Sequence, residues 1–175
     1  MQIEDTILTD VKIFTPTLFY DERGSFHESF NQKHLTETFV QDNHSISKKN
    51  VLRGLHYQVT RPQGKLIRVV KGSILDVAVD IRKSSPTFKQ WVSVVLSDKN
   101  FKQLWVPPGF AHGFLSLEDD TSVLYKTTDV WFKEHERSML WCDPTISIEW
   151  GLEAPPICSN KDACAPKFND IELFE

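Results

Sequence analysis

Short runs of β-favouring residues, each closed by turn formers, dominate the sequence and leave little room for long helices. They lie at 6–13, 17–20, 25–30, 66–70, 74–81, 90–97, 103–106, 111–117 and 121–127. Asp21-Glu22-Arg23-Gly24 reads as a turn, and Lys71-Gly72-Ser73 as the link of a hairpin between 66–70 and 74–81. Along 74–81, Leu75, Val77, Val79 and Ile81 share one face, with Asp76, Ala78 and Asp80 on the other. One helix is expected over 32–39, capped by Asn31, with Leu35 and Phe39 on one side. Pro144, Pro155, Pro156 and Pro166 make the segment from Asp143 onward an irregular tail that hugs the surface. Strands this short and this evenly spaced predict an all-β sandwich or barrel with few short helices.

The 175 residues fit a single domain, 1–175. A chain of this length buries roughly 70% of its unfolded surface. With 12 Phe and 5 Trp to bury, disorder is excluded as the dominant state. No apolar run approaches the ~18 residues of a membrane helix. The acidic start, Met1-Gln2-Ile3-Glu4-Asp5, lacks the basic and apolar regions of a secretory signal, so the expected location is the cytoplasm. A net charge of −4 argues against nucleic acid as a partner, and an anionic ligand would need a local basic cluster. Cys142, Cys158 and Cys164 are odd in number and form no C-x-x-C pair, so neither a disulfide framework nor a structural zinc site is expected. The mixed charges of 133–137 read as a solvated loop.

Two short motifs narrow the barrel type. Pro107-Pro108-Gly109-Phe110-Ala111-His112 fits P-x-G-x-x-H, and Gly54-Leu55-His56-Tyr57-Gln58 is similar to G-x-H-x-H with Gln in the second place. In that order they resemble the two motifs of the cupins, whose fold is a jelly roll, the double-stranded β-helix. A metal-binding cupin needs three His and usually a Glu. Here Gln58 replaces one His, and Lys65 stands where the Glu would be, an ammonium that repels a divalent cation. No metal and no other cofactor is therefore expected, and Lys65 becomes the candidate for stabilising negative charge.

The remaining polar residues form an acid–base set. Histidine changes charge nearest neutrality, which makes His56 a natural general base. Arg53 and His56 have opposite parity on one strand, so both reach the interior only if Gly54 marks a bulge. Tyr125 shares a face with Val123, and His112 suits a hydrogen bond to substrate. Asp76 and Asp80 either line the cavity or, for Asp80, pair with Arg82 or Arg68.

Longer blocks are more specific. DERG at 21–24, QDNHS at 41–45, VLRGLH at 51–56, DVAVDIR at 76–82, SSPT at 84–87, LWVP at 104–107, GFAHGF at 109–114 and YKTT at 125–128 occur in this order. Over about 19–166 the sequence resembles the dTDP-4-dehydrorhamnose 3,5-epimerase family of the cupin superfamily. The resemblance implies inversion at C3 and C5 of dTDP-4-dehydro-6-deoxyglucose on the way to dTDP-L-rhamnose and surface polysaccharides. It implies His56 as proton acceptor, Asp162 as its orienting partner, Lys65 near the 4-keto oxygen and Tyr125 as proton donor on the opposite face. It assigns Arg23, Glu28, Gln41, Asn43, Arg53, Glu136 and Lys161 to the nucleotide end, with His112 near the sugar. It also implies a homodimer with exchanged N-terminal strands, in which Phe19 and Phe26 give aromatic contacts partly across the interface. Where many members have Tyr-Tyr, this chain has Val130-Trp131, and Trp131 keeps an aromatic face for the thymine.

The rivals are a C3-only or C5-only epimerase, an enzyme for another dTDP-4-ketosugar, a non-catalytic nucleotide-sugar-binding cupin, and a metal-dependent cupin oxygenase or isomerase. His56, Lys65, Tyr125 and Asp162 occurring together speak against the non-catalytic reading. The missing Glu and second His speak against the metal-dependent one.

Overall fold

Thirteen strands, one short helix and two 3₁₀ turns make up the chain, which a computed structural model describes over residues 1–175. The strands are β1 (Gln2–Asp5), β2 (Lys12–Thr15), β3 (Phe19–Asp21), β4 (Gly24–Phe26), β5 (Gln41–Ser47), β6 (Leu52–Gln58) and β7 (Lys65–Lys71), followed by β8 (Ser73–Asp80), β9 (Trp91–Ser97), β10 (Gln103–Val106), β11 (Phe110–Ser116), β12 (Thr121–Thr127) and β13 (Glu136–Ser138). The helix is α1 (Asn160–Ala163). A six-stranded sheet runs β1-β2-β10-β7-β12-β5 and a five-stranded sheet β13-β6-β11-β8-β9, while β3 and β4 form a separate hairpin. All named pairs are antiparallel, giving the expected all-β jelly roll.

The five-stranded sheet is covered on both sides. Ile74, Ala78, Val92, Phe110 and Phe114 face Ile67, Val69, Leu104, Val106 and Val123 of the other sheet. On its outer side Val77, Val79, Ile81 and Ala111 meet Met139, just after β13, and Ile146, Trp150 and Phe168 of the C-terminal tail. Apart from α1 and a 3₁₀ turn the tail is irregular, in keeping with its prolines, but it forms the outer wall of a second core. On β8 the apolar face lies under the tail and the Asp76 face lies inside the sandwich.

Several local expectations change. β7 and β8 do not pair: they belong to different sheets, so residues 71–73 form an arch between sheets instead of a hairpin turn. Gly72 has φ +78, and a Cβ there would stand 2.5 Å from the Thr121 hydroxyl, so the arch needs glycine for both reasons. The helix expected over 32–39 is only the 3₁₀ turn Gln32–His34. Asn31 does cap it, accepting from Lys33 N–H at 3.1 Å. Too short to propagate a helix, the segment leaves Leu35 and Phe39 to pack on Phe14, Leu66 and Trp105 in extended chain. The run at 6–13 is mostly the connection between β1 and β2, buried through Leu8 and Val11, with only Lys12 and Ile13 in β2. No helix is long and apolar enough to cross a membrane.

The bulge in β6 is present. His112 of β11 pairs with His56, and Phe114 with Arg53, so β6 carries one residue more than β11 between the two pairs. Gly54 sits there with φ +121, and a Cβ would come within 2.6 Å of Gly113 Cα. The extra residue lets Arg53 and His56 line the same cavity.

Candidate active site

Two adjoining cavities, each of about 270 Å³, open between the sheets, and His56, Lys65 and Tyr125 line both. His56 comes from the five-stranded sheet; Lys65 and Tyr125 come from β7 and β12 of the six-stranded sheet. The imidazole and the phenol therefore approach the cavity from opposite walls.

Asp162 is nearly inaccessible, and its Oδ1 lies 2.6 Å from His56 Nε2. An ionised carboxylate only accepts, so Nε2 carries the proton and Nδ1 is left bare as a base. Burial pushes the pKa of Asp162 up, but the hydrogen bond and charge of His56 and the Ser159 hydroxyl outweigh it, and the carboxyl lies below its usual range. Ser159 caps α1 by accepting from Asp162 N–H at 3.1 Å, which fixes the one short helix that delivers the carboxylate.

Lys65 is 9% exposed and donates to the His56 carbonyl at 3.3 Å. Burial brings its ammonium down to about 8, against the raising influence of Asp76 and Glu136. The Tyr125 ring packs on the inter-sheet core. Burial raises its hydroxyl above the ordinary value, Arg53 opposes this and Glu136 adds to it, so the phenol is protonated and able to donate at neutral pH. Asp76, wholly buried, accepts a hydrogen bond from His112 Nε2–H at 2.7 Å, and its other oxygen has no hydrogen-bond partner. Burial holds His112 below its ordinary value despite Asp76, so it is neutral. Asp80 instead pairs with Arg82 at 2.7 Å and accepts from Ser85 and Thr87.

Gln41 and Asn43 of β5, Trp131 and Glu136 line the first cavity; Arg53, His112, Lys161 and Asp162 line the second. Lys161 and Glu136 form an ion pair of 2.6 Å at the boundary. Four residues named from the sequence are elsewhere. Phe19 and Phe26 are 61% and 71% exposed on the β3–β4 hairpin, Arg23 pairs with Asp21 in its turn, and Glu28 accepts from Asn31. Within one chain they do not reach the cavity. No three His, Cys, Asp or Glu side chains gather as metal ligands would.

Comparison with known proteins decides the lineage. Residues 5–170 match the model of a family described as dTDP-4-dehydrorhamnose 3,5-epimerase. The chain belongs to that family. A dTDP-4-dehydrorhamnose 3,5-epimerase of Shigella flexneri is 53% identical, with 99% of each chain covered, and one of Pseudomonas aeruginosa is 50% identical, with 95% of this chain and 96% of the relative covered. A crystal structure of a dTDP-6-deoxy-D-glucose-3,5-epimerase from Legionella pneumophila, in complex with dTDP-4-keto-L-rhamnose, superposes with a TM-score of 0.96 at 46% identity, covering 99% of this chain and 97% of that one.

Membership in the family agrees with what these groups can do together: remove a proton from one side of a carbon, hold negative charge beside it and return a proton from the other side. Sequence reasoning missed Ser45, Tyr57, Gln63 and Ser159 as cavity residues, and gave Gln58 no role beyond a lost metal ligand. Ser159 was recoverable, because a serine three positions before Asp162 is a helix-cap signal.

Proposed function

We propose that this chain converts dTDP-4-dehydro-6-deoxy-D-glucose into dTDP-4-dehydro-L-rhamnose by inverting C3 and C5, a step of dTDP-L-rhamnose biosynthesis carried out in the cytoplasm. The observation that carries the mechanism is the placement of His56 and Tyr125 on opposite sheets with Lys65 in the same cavity. Both reacting carbons flank the C4 ketone, so one enolate chemistry serves both.

His56 Nδ1 takes the α-proton while Asp162 keeps the ring oriented and stabilises the imidazolium. The electron pair moves onto the 4-keto oxygen, where the Lys65 ammonium stabilises the enolate in a water-poor site. Tyr125 then protonates the carbon from the other face, and solvent returns both groups to their starting states. Arg53 and Lys161 are the cations for the diphosphate, with Trp131 against the base. Arg23, Phe19 and Phe26 of the hairpin, and Glu28 just after it, complete the nucleotide end from the partner subunit in a homodimer with exchanged N-terminal strands. That arrangement accounts for two large aromatic side chains left in water on a hairpin too small to bury them.

The test is product analysis by NMR in D₂O with dTDP-4-dehydro-6-deoxy-D-glucose. Deuterium at both C3 and C5 with rhamno configuration supports the proposal. Inversion at one carbon alone would make the chain a monoepimerase, and no exchange at either would remove the catalytic reading.

A further inference from the structure

Gln58 ends β6, two residues from His56 and on the same strand face, and is 3% exposed. Its side-chain amide is fully engaged by backbone. Nε2 donates to the carbonyls of Arg61 at 2.5 Å and Val130 at 3.2 Å, and Oε1 accepts from Phe132 N–H at 2.8 Å. The residue between those two loop contacts is Trp131. Its own N–H is taken by Gln41 Oε1 at 3.0 Å. Three consecutive residues of the rim are thus pinned by two glutamines, Gln58 from the five-stranded sheet and Gln41 from the six-stranded one. Residue 129, just before them, is held too: Arg61 grips the Asp129 carboxylate with two bonds of 2.8 and 2.7 Å, and Gln63 donates to its carbonyl at 2.8 Å.

Trp131 itself is 50% exposed and lines the mouth of the first cavity. A half-exposed indole on a loop of this kind would ordinarily sample several orientations, and ordering it on binding would weaken affinity. Here the backbone on both sides is fixed before any ligand arrives. We infer that Gln58 is a positioning residue for the nucleotide end of the site, acting through the backbone of 130–132 to hold the Trp131 ring where a planar base can stack on it. The position that carries a metal ligand in metal-binding cupins serves here as a strut between the strand of the base His56 and the rim. The inference rests on the reading that Trp131 meets the base of the nucleotide.

The strut acts on binding and not on proton transfer, so its removal should separate KM from kcat. Gln58→Met keeps the volume and removes all three hydrogen bonds. It should weaken dTDP binding, measured by calorimetric titration with dTDP, and raise KM, both by about tenfold, while kcat and deuterium exchange at saturating substrate fall by less than about threefold. Gln58→Glu retains the acceptor for Phe132 N–H and loses both donations, so its loss of affinity should be intermediate; retained kcat in either variant shows that it is folded. Trp131→Ala alone should weaken dTDP binding, and adding Gln58→Met to it should cost little more, because both act through one ring. If Trp131→Ala leaves dTDP affinity unchanged, the base lies elsewhere and both the rim assignment and the strut fall. If Trp131→Ala weakens binding but Gln58→Met does not, or if the two losses simply add, the strut alone is overturned. A fall in kcat as large as the rise in KM would move Gln58 from the rim to the reaction centre, which also overturns it.

Discussion

Burial brings the Lys65 ammonium down to about 8, against the pull of Asp76 and Glu136, and this ties activity and stability to pH in opposite directions. The groups facing it are His56 on β6, Asp76 on β8, His112 on β11, Tyr125 on β12, Glu136 on β13 and Lys161 on α1. In the proposed reaction the enolate is stabilised by this cation, so kcat/KM should fall as pH rises through about 8. In Asp76→Asn the falling limb should move to lower pH, since the buried counter-charge is gone; an unmoved limb would dissociate Asp76 from Lys65. Stability runs the other way. Between about 8 and the ordinary lysine value of 10.5 the unfolded chain holds a proton that the native one has released, so Lys65's contribution to stability rises with pH there. Below that window the cost of burying the charge is fully present, and Lys65→Met should raise the melting temperature at pH 7 while abolishing turnover. His56→Ala should lose roughly 10²–10⁴-fold in exchange at both carbons, and Asp162→Asn should slow the same step with dTDP affinity nearly unchanged. Exchange at the wild-type rate in His56→Ala would place the base elsewhere.

The bulge at Gly54 is the element on which the site depends, because it alone brings Arg53 and His56 to one cavity. Gly54→Ala meets both an unfavourable φ and a 2.6 Å approach to Gly113 Cα. It should destabilise the fold by about 1–3 kcal/mol and lower kcat, as thermal melting and steady-state kinetics would show; wild-type values in both would mean the strand tolerates a side chain there. This feature was legible in the sequence as a condition, since two polar residues of opposite parity on one strand reach the same side only across a bulge. β7, β8, β10 and β12 were legible too, because their apolar residues alternate or run together. β5 was not: Gln41-Asp42-Asn43-His44-Ser45-Ile46-Ser47 has almost no apolar signal, being an edge strand whose inward residues line the cavity. The arch at 71–73 could not be told from a hairpin, because sheet membership is set by partners distant in sequence. The helix at 32–39 failed because a cap and two apolar residues do not nucleate one without tertiary support.

At the scale of the whole molecule, His56 and Tyr125 were readable because they fall in long blocks, Lys65 because it stands where a cupin Glu would be, and Asp162 only through the resemblance; the packing of the two sheets that carry them was not, since no local pattern encodes which walls meet. The N-terminal segment shows the same division. Leu8, Val11 and Phe14 belong to the body of the fold, whereas Phe19 and Phe26 stand in water on the hairpin. Removing the whole segment would therefore unfold the sandwich, and the sharper probe of the homodimer is Phe19→Asp with Phe26→Asp. That variant should lose dimer mass in light scattering and weaken dTDP binding; a monomeric wild type that binds dTDP normally would contradict the shared site. The proposed inversion needs two proton carriers facing each other across the sandwich. Tyr125→Phe keeps the ring on the core and removes only the hydroxyl, leaving His56 able to remove a proton and return a deuteron to the same face. The decisive measurement is NMR in D₂O of isotope content and configuration at the same sugar carbons, expressed as the ratio of exchange to inversion against wild type. The ratio should rise well above wild type, with deuterium entering the substrate and little rhamno-configured product; a wild-type ratio with normal product formation would mean that Tyr125 is not the second carrier.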